Sequence, residues 1–395
     1  MCGYVQLSDS DSINEEIPAL CNSPKERDKC LKICEAMRFL KVLSTIVLFA
    51  FCLMADAAHP VLNKPTLKVL DIGNSYTNDA TDLLPLIMEA SGSDVSNICL
   101  YKAIRSSASF KSWYDVYCDE DTAYTYRIEK VLGGLSANVS TGTGEKGNGS
   151  LFRKLLTDEQ WDIIIIQPDY GLLYGTDRGY LNKLLSVINE HQLNVVIGFY
   201  IIHSLWDHHA RNKECSSFER WKLICSSVKE LQEDYGIDFI IPYGTAIENL
   251  RSSSLNNEYD LTRDGTHLAY GLGRYAAACC YYESLIAPRR GISVLGNAAR
   301  YDASQAPSSQ YPSISVTDEN ALVAQKAAVL ATEHIYECIN PDSISSVDSL
   351  KESEFGISPN IYNLLGQKQY KDERNLRGVH IKNGRKELYG KTSIK

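Results

Sequence analysis

What this chain has little of is positive charge. It carries 40 Lys and Arg against 49 Asp and Glu, a formal net charge of −9, with no long Lys/Arg run through its central region. Affinity for nucleic-acid phosphates calls for the opposite balance, so no nucleic acid is expected as a partner, and small molecules or neutral polymers are. There is no internal repeat. Zinc-like spacing is missing as well: Cys30 and Cys34 form a half-site for which no second half follows. After Ala57 the cysteines are Cys99, Cys118, Cys215, Cys225, Cys279, Cys280 and Cys338, an odd number in a long chain, which excludes a small disulfide scaffold. Adjacent Cys279 and Cys280 lie in a helical pattern and read as small core residues.

What is present is a globular composition, 395 residues with 44% hydrophobic and 23% charged, enough for one large domain or two modest ones. The segment 37–57 has Arg38 and Lys41, then the apolar run Val42 to Ala55, then Ala55-Asp56-Ala57. That is the anatomy of a secretory signal peptide cleaved before Ala58. The run falls short of the roughly 20 residues a membrane span needs, so no stable membrane insertion is expected after cleavage. The protein is expected to be exported, to the periplasm, the cell surface or the medium. Residues 1–36 lie upstream of this signal, are expected to be a non-native or disordered leader, and point to Met37 as the start of translation.

From Leu67 onward, apolar strands alternate with amphipathic helices. "LKVLDI" is a strand and "ATDLLPLIMEASG" a helix; "WDIIIIQ" (161–167) has four consecutive isoleucines, as a strand buried on both faces requires. "NVVIGFYII" and "DFIIPYG" follow as strands, each after a helix, and "GLGRYAAACCYYESL" closes the series as a helix. The alternation predicts parallel βαβ units, a three-layer α/β/α domain. In such sheets, sites form beyond the carboxyl ends of the strands. Gly73-Asn74-Ser75, Gln167-Pro168-Asp169, His203 and Pro242-Tyr243-Gly244 occupy such ends. The stretch 132–150 reads as an exposed loop, and 318–337 as an amphipathic helix belonging to the main domain. Residues 345–395 show short strand patterns between Gly and Asn turns, a small β module.

A hydroxyl becomes a nucleophile when an adjacent base takes its proton and a third group orients that base. Asp264 and His267 stand three apart across a Gly-containing turn, which can bring the carboxylate to imidazole Nδ1. A helix-capping Asp beside a surface His would look the same. Ser75 shifts the weighing: it follows the first buried strand, the pair follows the last, and a helix N-terminus next to Ser75 favours developing negative charge.

"VLDIGNSYTNDA" and "RDGTHLAYGLGRY", with "WDIIIIQ", "IPYGTAIENLRSS" and "GISVLGN" in order over residues 66–338, resemble the SGNH (GDSL-type) hydrolase superfamily, in a bacterial group with Gly-Asn-Ser in its first motif. The resemblance implies a flavodoxin-like three-layer fold, with Ser75 as nucleophile, His267 as general base and acid, Asp264 as orienting carboxylate, and no cofactor or metal. It implies an oxyanion hole of Ser75, Ser106 and Gln167. Two departures stand out: Arg105, Ser106 and Ser107 replace the glycine of the second motif, and Gln167-Pro168-Asp169 replaces the asparagine of the third. Asn74, Tyr76 and Trp206 are the expected substrate-binding residues. The C-terminal "IYNLLGQKQY…GVHIKNGRKEL" resembles a type IX secretion sorting tail.

Other groupings carry less. His203, Asp207, His208 and His209 could be read as metal ligands and Asp169 with Glu248 as a glycosidase pair, while Tyr101, Trp113 and Tyr114 suggest packing. The expectation is therefore an exported serine esterase acting through an acyl-Ser75 intermediate on a small-molecule or glycan ester, O-acetyl groups on carbohydrate among them. Its alternative is a catalytically inactive, glycan-binding surface protein of the same fold.

Overall fold

The computed structural model describes residues 59–92, 94–119, 125–133, 140–145, 151–168, 177–212, 215–256 and 260–344, with the backbone alone of strands at 361–362, 368–369, 378–382 and 385–389. The leader, the segment 37–57, Asp169 and most of the C-terminal module lie outside these residues. The chain divides into two compact units, Met1–Pro60 and Val61–Lys395.

A seven-stranded sheet forms the centre of the second unit, in the order β4-β3-β2-β1-β5-β6-β7. Strands β1 (Leu67–Gly73), β2 (Ile98–Ile104), β5 (Ile163–Ile166), β6 (Val196–Tyr200) and β7 (Phe239–Ile241) run parallel. The isoleucines of β5 are wholly buried, because helices cover both faces of the sheet. Strands β3 (Thr125–Gly133) and β4 (Gly142–Glu145) extend it antiparallel. They correct two expectations: the sheet is only mostly parallel, and the stretch 132–150 contributes strand rather than loop alone. β2 also escapes a purely apolar reading, since it carries Lys102, whose ammonium is buried against Asp82 and Glu129.

Helices α1 (Ser75–Thr81), α2 (Leu84–Ala90), α7 (Tyr243–Arg251), α8 (Leu272–Leu285) and α9 (Asp318–Glu333) pack together on one face. On the other lie α3 (Phe110–Cys118), α4 (Leu151–Thr157) and α5 (Arg178–His191), with α6 (Ser217–Tyr235) ion-paired to α5 through Glu230 and Arg178. The helix expected over 80–92 is two pieces, α1 beginning earlier, at Ser75. Pro85 in the first turn of α2 has no N–H to continue the preceding helix. Every residue of α8 except Ser284 is buried, including the free thiols Cys279 and Cys280. All seven described cysteines are free.

Strands β8 (Ile361–Tyr362), β9 (Lys368–Gln369), β10 (Gly378–Lys382) and β11 (Arg385–Tyr389) form an antiparallel sheet ordered β11-β10-β8-β9. Asn383-Gly384, between β10 and β11, is the sequence a two-residue hairpin loop favours. Among the described residues no helix is long and apolar enough to cross a membrane.

Because β1 lies between β2 and β5, the winding of the parallel strands reverses at β1, and a crevice opens beyond its carboxyl end. Ser75 stands there.

Candidate active site

Gly73 ends β1, Asn74 caps α1, and Ser75 is the first residue of that helix. The turn is held from several sides. The Gly73 carbonyl accepts from the Arg105 N–H at 3.1 Å and the Trp113 indole at 3.2 Å. Asn74 uses both ends of its amide, Oδ1 accepting from Tyr76 N–H at 3.0 Å and Nδ2 donating to the Ala108 carbonyl at 3.1 Å. A side-chain oxygen on the second helical N–H is what an N-cap provides. Gln167, at the end of β5, accepts the Asn74 N–H at 2.9 Å and the Thr77 hydroxyl at 3.1 Å on Oε1.

The second part of the site is the tight loop 261–269. Its two sides are joined by Arg263 N–H to the His267 carbonyl, 2.9 Å, and by Ala269 N–H to the Leu261 carbonyl, 2.8 Å. Gly265 takes the tip at φ 78°, a backbone region that favours glycine. Asp264 Oδ1 accepts the N–H groups of Thr266 at 2.9 Å and His267 at 2.7 Å, which leaves Oδ2 facing the ring.

The two parts meet in an unbroken chain: Ser75 Oγ lies 2.8 Å from His267 Nε2, and His267 Nδ1 lies 2.7 Å from Asp264 Oδ2. Burial opposes charge on Asp264, yet the hydrogen bonds from the His267 ring and from the His267 and Thr266 N–H groups outweigh it and hold the carboxyl well below the usual carboxylate range. With Nδ1–H directed to that carboxylate, Nε2 is the nitrogen left to accept the Ser75 proton. Ser75 and His267 are both half-buried. Ser75 N–H and Ser106 N–H have no hydrogen-bond partner among the described residues. Ser106 is exposed on the turn after β2, beside Ser107 at φ 51°.

Three of the expected residues are given structural work of their own. Gln167 is buried and its amide serves the turn: the Asn74 N–H can be met only by an oxygen, so Oε1 faces the turn, and one of the two Nε2 hydrogens goes to the Pro168 carbonyl at 2.7 Å. Asn74 is buried, and its Oδ1 and one Nδ2 hydrogen both go to the turn that it caps. Tyr76 is buried too, its ring edge-on to His203 with centroids 4.9 Å apart and tilted against His267 at 5.7 Å. It supports the imidazole from beneath.

Trp206 is half-buried, with its N–H on the Gly265 carbonyl at 3.0 Å and its ring edge-on to Tyr311 and His208. It lines a cleft of about 600 Å³ with Phe218, Arg251 and Asp260, a cleft that none of Ser75, Asp264 or His267 lines. The suggested metal ligands go to separate tasks. His203 Nε2 donates to the Thr266 carbonyl at 2.7 Å, Asp207 accepts the Ser217 N–H at the start of α6, and His209 packs on Gly265. No group of three or more His, Cys, Asp or Glu among the described residues could hold a metal ion. Glu248 is buried in an ion pair with Arg251, Tyr101 packs on Trp161, and Trp113 on Phe152.

Sequence reasoning passed over Asp79, Arg263, Arg274 and the anchoring by His203. An acidic residue four positions after Ser75, on the inward side of a short helix, was the available signal for Asp79.

Residues 68–313 match the family described as "Domain of unknown function (DUF4886)". A solved structure of a DUF4886 family protein from Bacteroides uniformis is similar over 71% of this chain and 100% of its own, with 25% identity and a TM-score of 0.55. No curated protein matches.

Proposed function

The chain belongs to the DUF4886 family, whose description assigns no chemistry, and on the geometry of its crevice we propose that it is a serine esterase of the SGNH hydrolase type. The observation that carries this reading is the chain Ser75–His267–Asp264, two hydrogen bonds of 2.8 and 2.7 Å in the order a nucleophile, base and orienting acid require. A parallel sheet reversing at β1, with the serine at that reversal, agrees with the flavodoxin-like arrangement of that superfamily.

In the first half-reaction Ser75 Oγ attacks the ester carbonyl carbon while its proton passes to His267 Nε2. Asp264, held ionised, stabilises the imidazolium that forms. The carbonyl oxygen takes up negative charge, and the N–H groups of Ser75 and Ser106 are the donors open to receive it. Collapse expels the alcohol, which takes the proton from Nε2 and leaves acyl-Ser75. Water then repeats the sequence and releases the acid. Every proton moved is returned, so the cycle calls for no cofactor.

O-acylated carbohydrate is the substrate class proposed, with Trp206 beside the triad loop as an aromatic face for a sugar ring. Export through segment 37–57 belongs to the same reading. One observation favours the rival, a silent glycan-binding module: the buried Gln167 amide is engaged by Asn74, Thr77 and Pro168, and one missing oxyanion donor typically costs about a hundred- to thousandfold in rate.

Fluorophosphonate labelling and p-nitrophenyl acetate turnover, with native protein and Ser75→Ala, decide between them. The native protein should label and turn over, and Ser75→Ala should do neither. A folded native protein that does neither supports the binding module. Near-full activity in His267→Ala would move the base elsewhere.

A further inference from the structure

The two peptide units that flank His267 are each anchored by a buried side chain from another part of the fold. On the amino side, the Thr266 carbonyl accepts from His203, which follows β6. On the carboxyl side, the Leu268 N–H donates to Asp79 Oδ2 at 2.9 Å. Asp79 is completely buried and lies on α1, one helical turn beyond Ser75. The helix that begins with the hydroxyl therefore also grips the backbone next to the imidazole.

Asp79 is held in that position from two further directions. Oδ1 accepts from Arg263 at 3.2 Å and from Arg274 at 2.8 Å, and Arg274 reaches on to Asp82 at 2.6 Å. Arg263 belongs to the triad loop and Arg274 to α8. Both guanidinium groups lie over the ring of Tyr270, each 4.7 Å from its centroid, so the segment joining loop to helix is clamped as well. Arg263 also donates to the Leu268 carbonyl at 2.7 Å, closing a ring of contacts around the residue after His267.

The Asp264 to His267 contact lies within one loop. The Ser75 to His267 contact is different, for it spans 192 residues and joins two separate elements. Only something that links those elements can fix its length. Asp79 does so directly. A displacement of about 1 Å at a reacting pair can lower a rate about a hundredfold.

We propose that Asp79 is a positioning residue for His267: by holding the Leu268 N–H to the helix that carries Ser75, it sets the distance between hydroxyl and imidazole. The proposal rests on the serine esterase reading for its rate effect and on geometry alone for its structural effect.

The test uses Asp79→Asn, with Asp82→Asn as its comparison. Asp82→Asn weakens the same Arg274 network and leaves the Leu268 anchor in place. Asp79→Asn should slow fluorophosphonate labelling of Ser75 about 10- to 100-fold and lower kcat for p-nitrophenyl acetate with KM little changed. Asp82→Asn should lose less than about 3-fold, as a surface-side member of the network not touching the loop. A second readout needs no activity: the NMR resonance of His267 Nε2. Ser75→Ala should move that resonance in the native background and move it much less in the Asp79→Asn background. If native protein fails to label while this coupling is seen, the esterase reading falls and the positioning role stands. Equal labelling rates for the two variants, or a Ser75→Ala shift undiminished in the Asp79→Asn background, overturns the proposal. Should Asp79→Asn not fold, Asp79→Asn with Arg263→Gln removes one charge of each sign and takes its place. If that pair does not fold either, Asp79 serves the fold rather than the site, and the proposal is overturned.

Discussion

Gly73 and Gln167 compete for the same space: a Cβ on Gly73 would stand 2.7 Å from Gln167 Oε1, 2.8 Å from its Cβ, and 2.2 Å from Thr77 Oγ1. The turn that presents Ser75 exists because residue 73 has no side chain.

Gly73→Ala is therefore expected to destabilise the fold by about 1–3 kcal/mol, the usual range for overpacking a filled interior, and to slow labelling of Ser75. Gly179→Ala, where an added Cβ meets nothing within 4 Å, should leave the urea midpoint unchanged or raise it. Comparable losses in both variants would show that close approach at residue 73 is not the cause.

Gln167→Leu should leave the buried Asn74 N–H without an acceptor, at about 1–3 kcal/mol. Since the hydrogen bonds of Gln167 go to Asn74, Thr77 and Pro168, kcat should fall by less than the hundredfold expected for a lost oxyanion donor. Urea unfolding and p-nitrophenyl acetate turnover separate the two effects. A hundredfold loss of kcat at native stability would return Gln167 to the oxyanion hole.

Burial of His203 lowers its folded pKa to about 4, from the ordinary 6.5. Between these values the unfolded chain binds a proton that the folded chain does not, so stability falls as pH drops from about 6.5 to about 4, by up to about 3 kcal/mol. His203→Gln keeps a donor for the Thr266 carbonyl and cannot titrate. The stability of native protein relative to His203→Gln should accordingly shrink across that window, measured by urea unfolding at each pH. Asp71 is pushed up to about 7 by burial, between Tyr200 and Tyr281, and has the opposite slope. It is common to both proteins and cancels in the comparison. A constant difference would show that His203 is protonated in the fold.

Asp264 works in the reverse sense, for its folded pKa is held below the unfolded value near 3.8. Its contribution is complete above that pH and is lost as pH falls toward the folded value. Native protein and Asp264→Asn should thus converge in stability only in strong acid. At neutral pH, Asp264→Asn should turn over p-nitrophenyl acetate on the order of ten-thousandfold more slowly, because the imidazole loses the partner that fixes its tautomer. Native-like turnover would remove Asp264 from the chain of proton transfer.

Four of the five parallel strands, and the places where Ser75, Asp264 and His267 meet, were legible because they leave local signatures: consecutive isoleucines for a strand buried on both faces, a serine and an Asp-x-x-His at strand ends. β2 was hidden because Lys102 interrupts its apolar run, and only the structure supplies Asp82 and Glu129 as partners. β3 and β4 lie at the edge, where exposure of alternate residues and glycines weakens the pattern. Asn74, Tyr76 and Gln167 were placed near the chemistry, but their buried hydrogen bonds and ring contacts were not foreseen. A sequence shows which residues adjoin a nucleophile along the chain and leaves open which of them point inward. Asp79 left only a faint local signal, its place one turn after Ser75, because its partners come from positions near 270 that no local pattern connects to it.

The burial of α8 on nearly every side bears on when activity can arise during synthesis. A helix with no wet face has no stable position until its last neighbour arrives, and that neighbour, α9, spans Asp318–Glu333. The loop carrying His267 leads directly into α8. Ser75 leaves the ribosome early, but the base that would activate it has no fixed seat until the chain has been made past residue 333. A chain stopped before Asp318 is expected to remain unlabelled by fluorophosphonate.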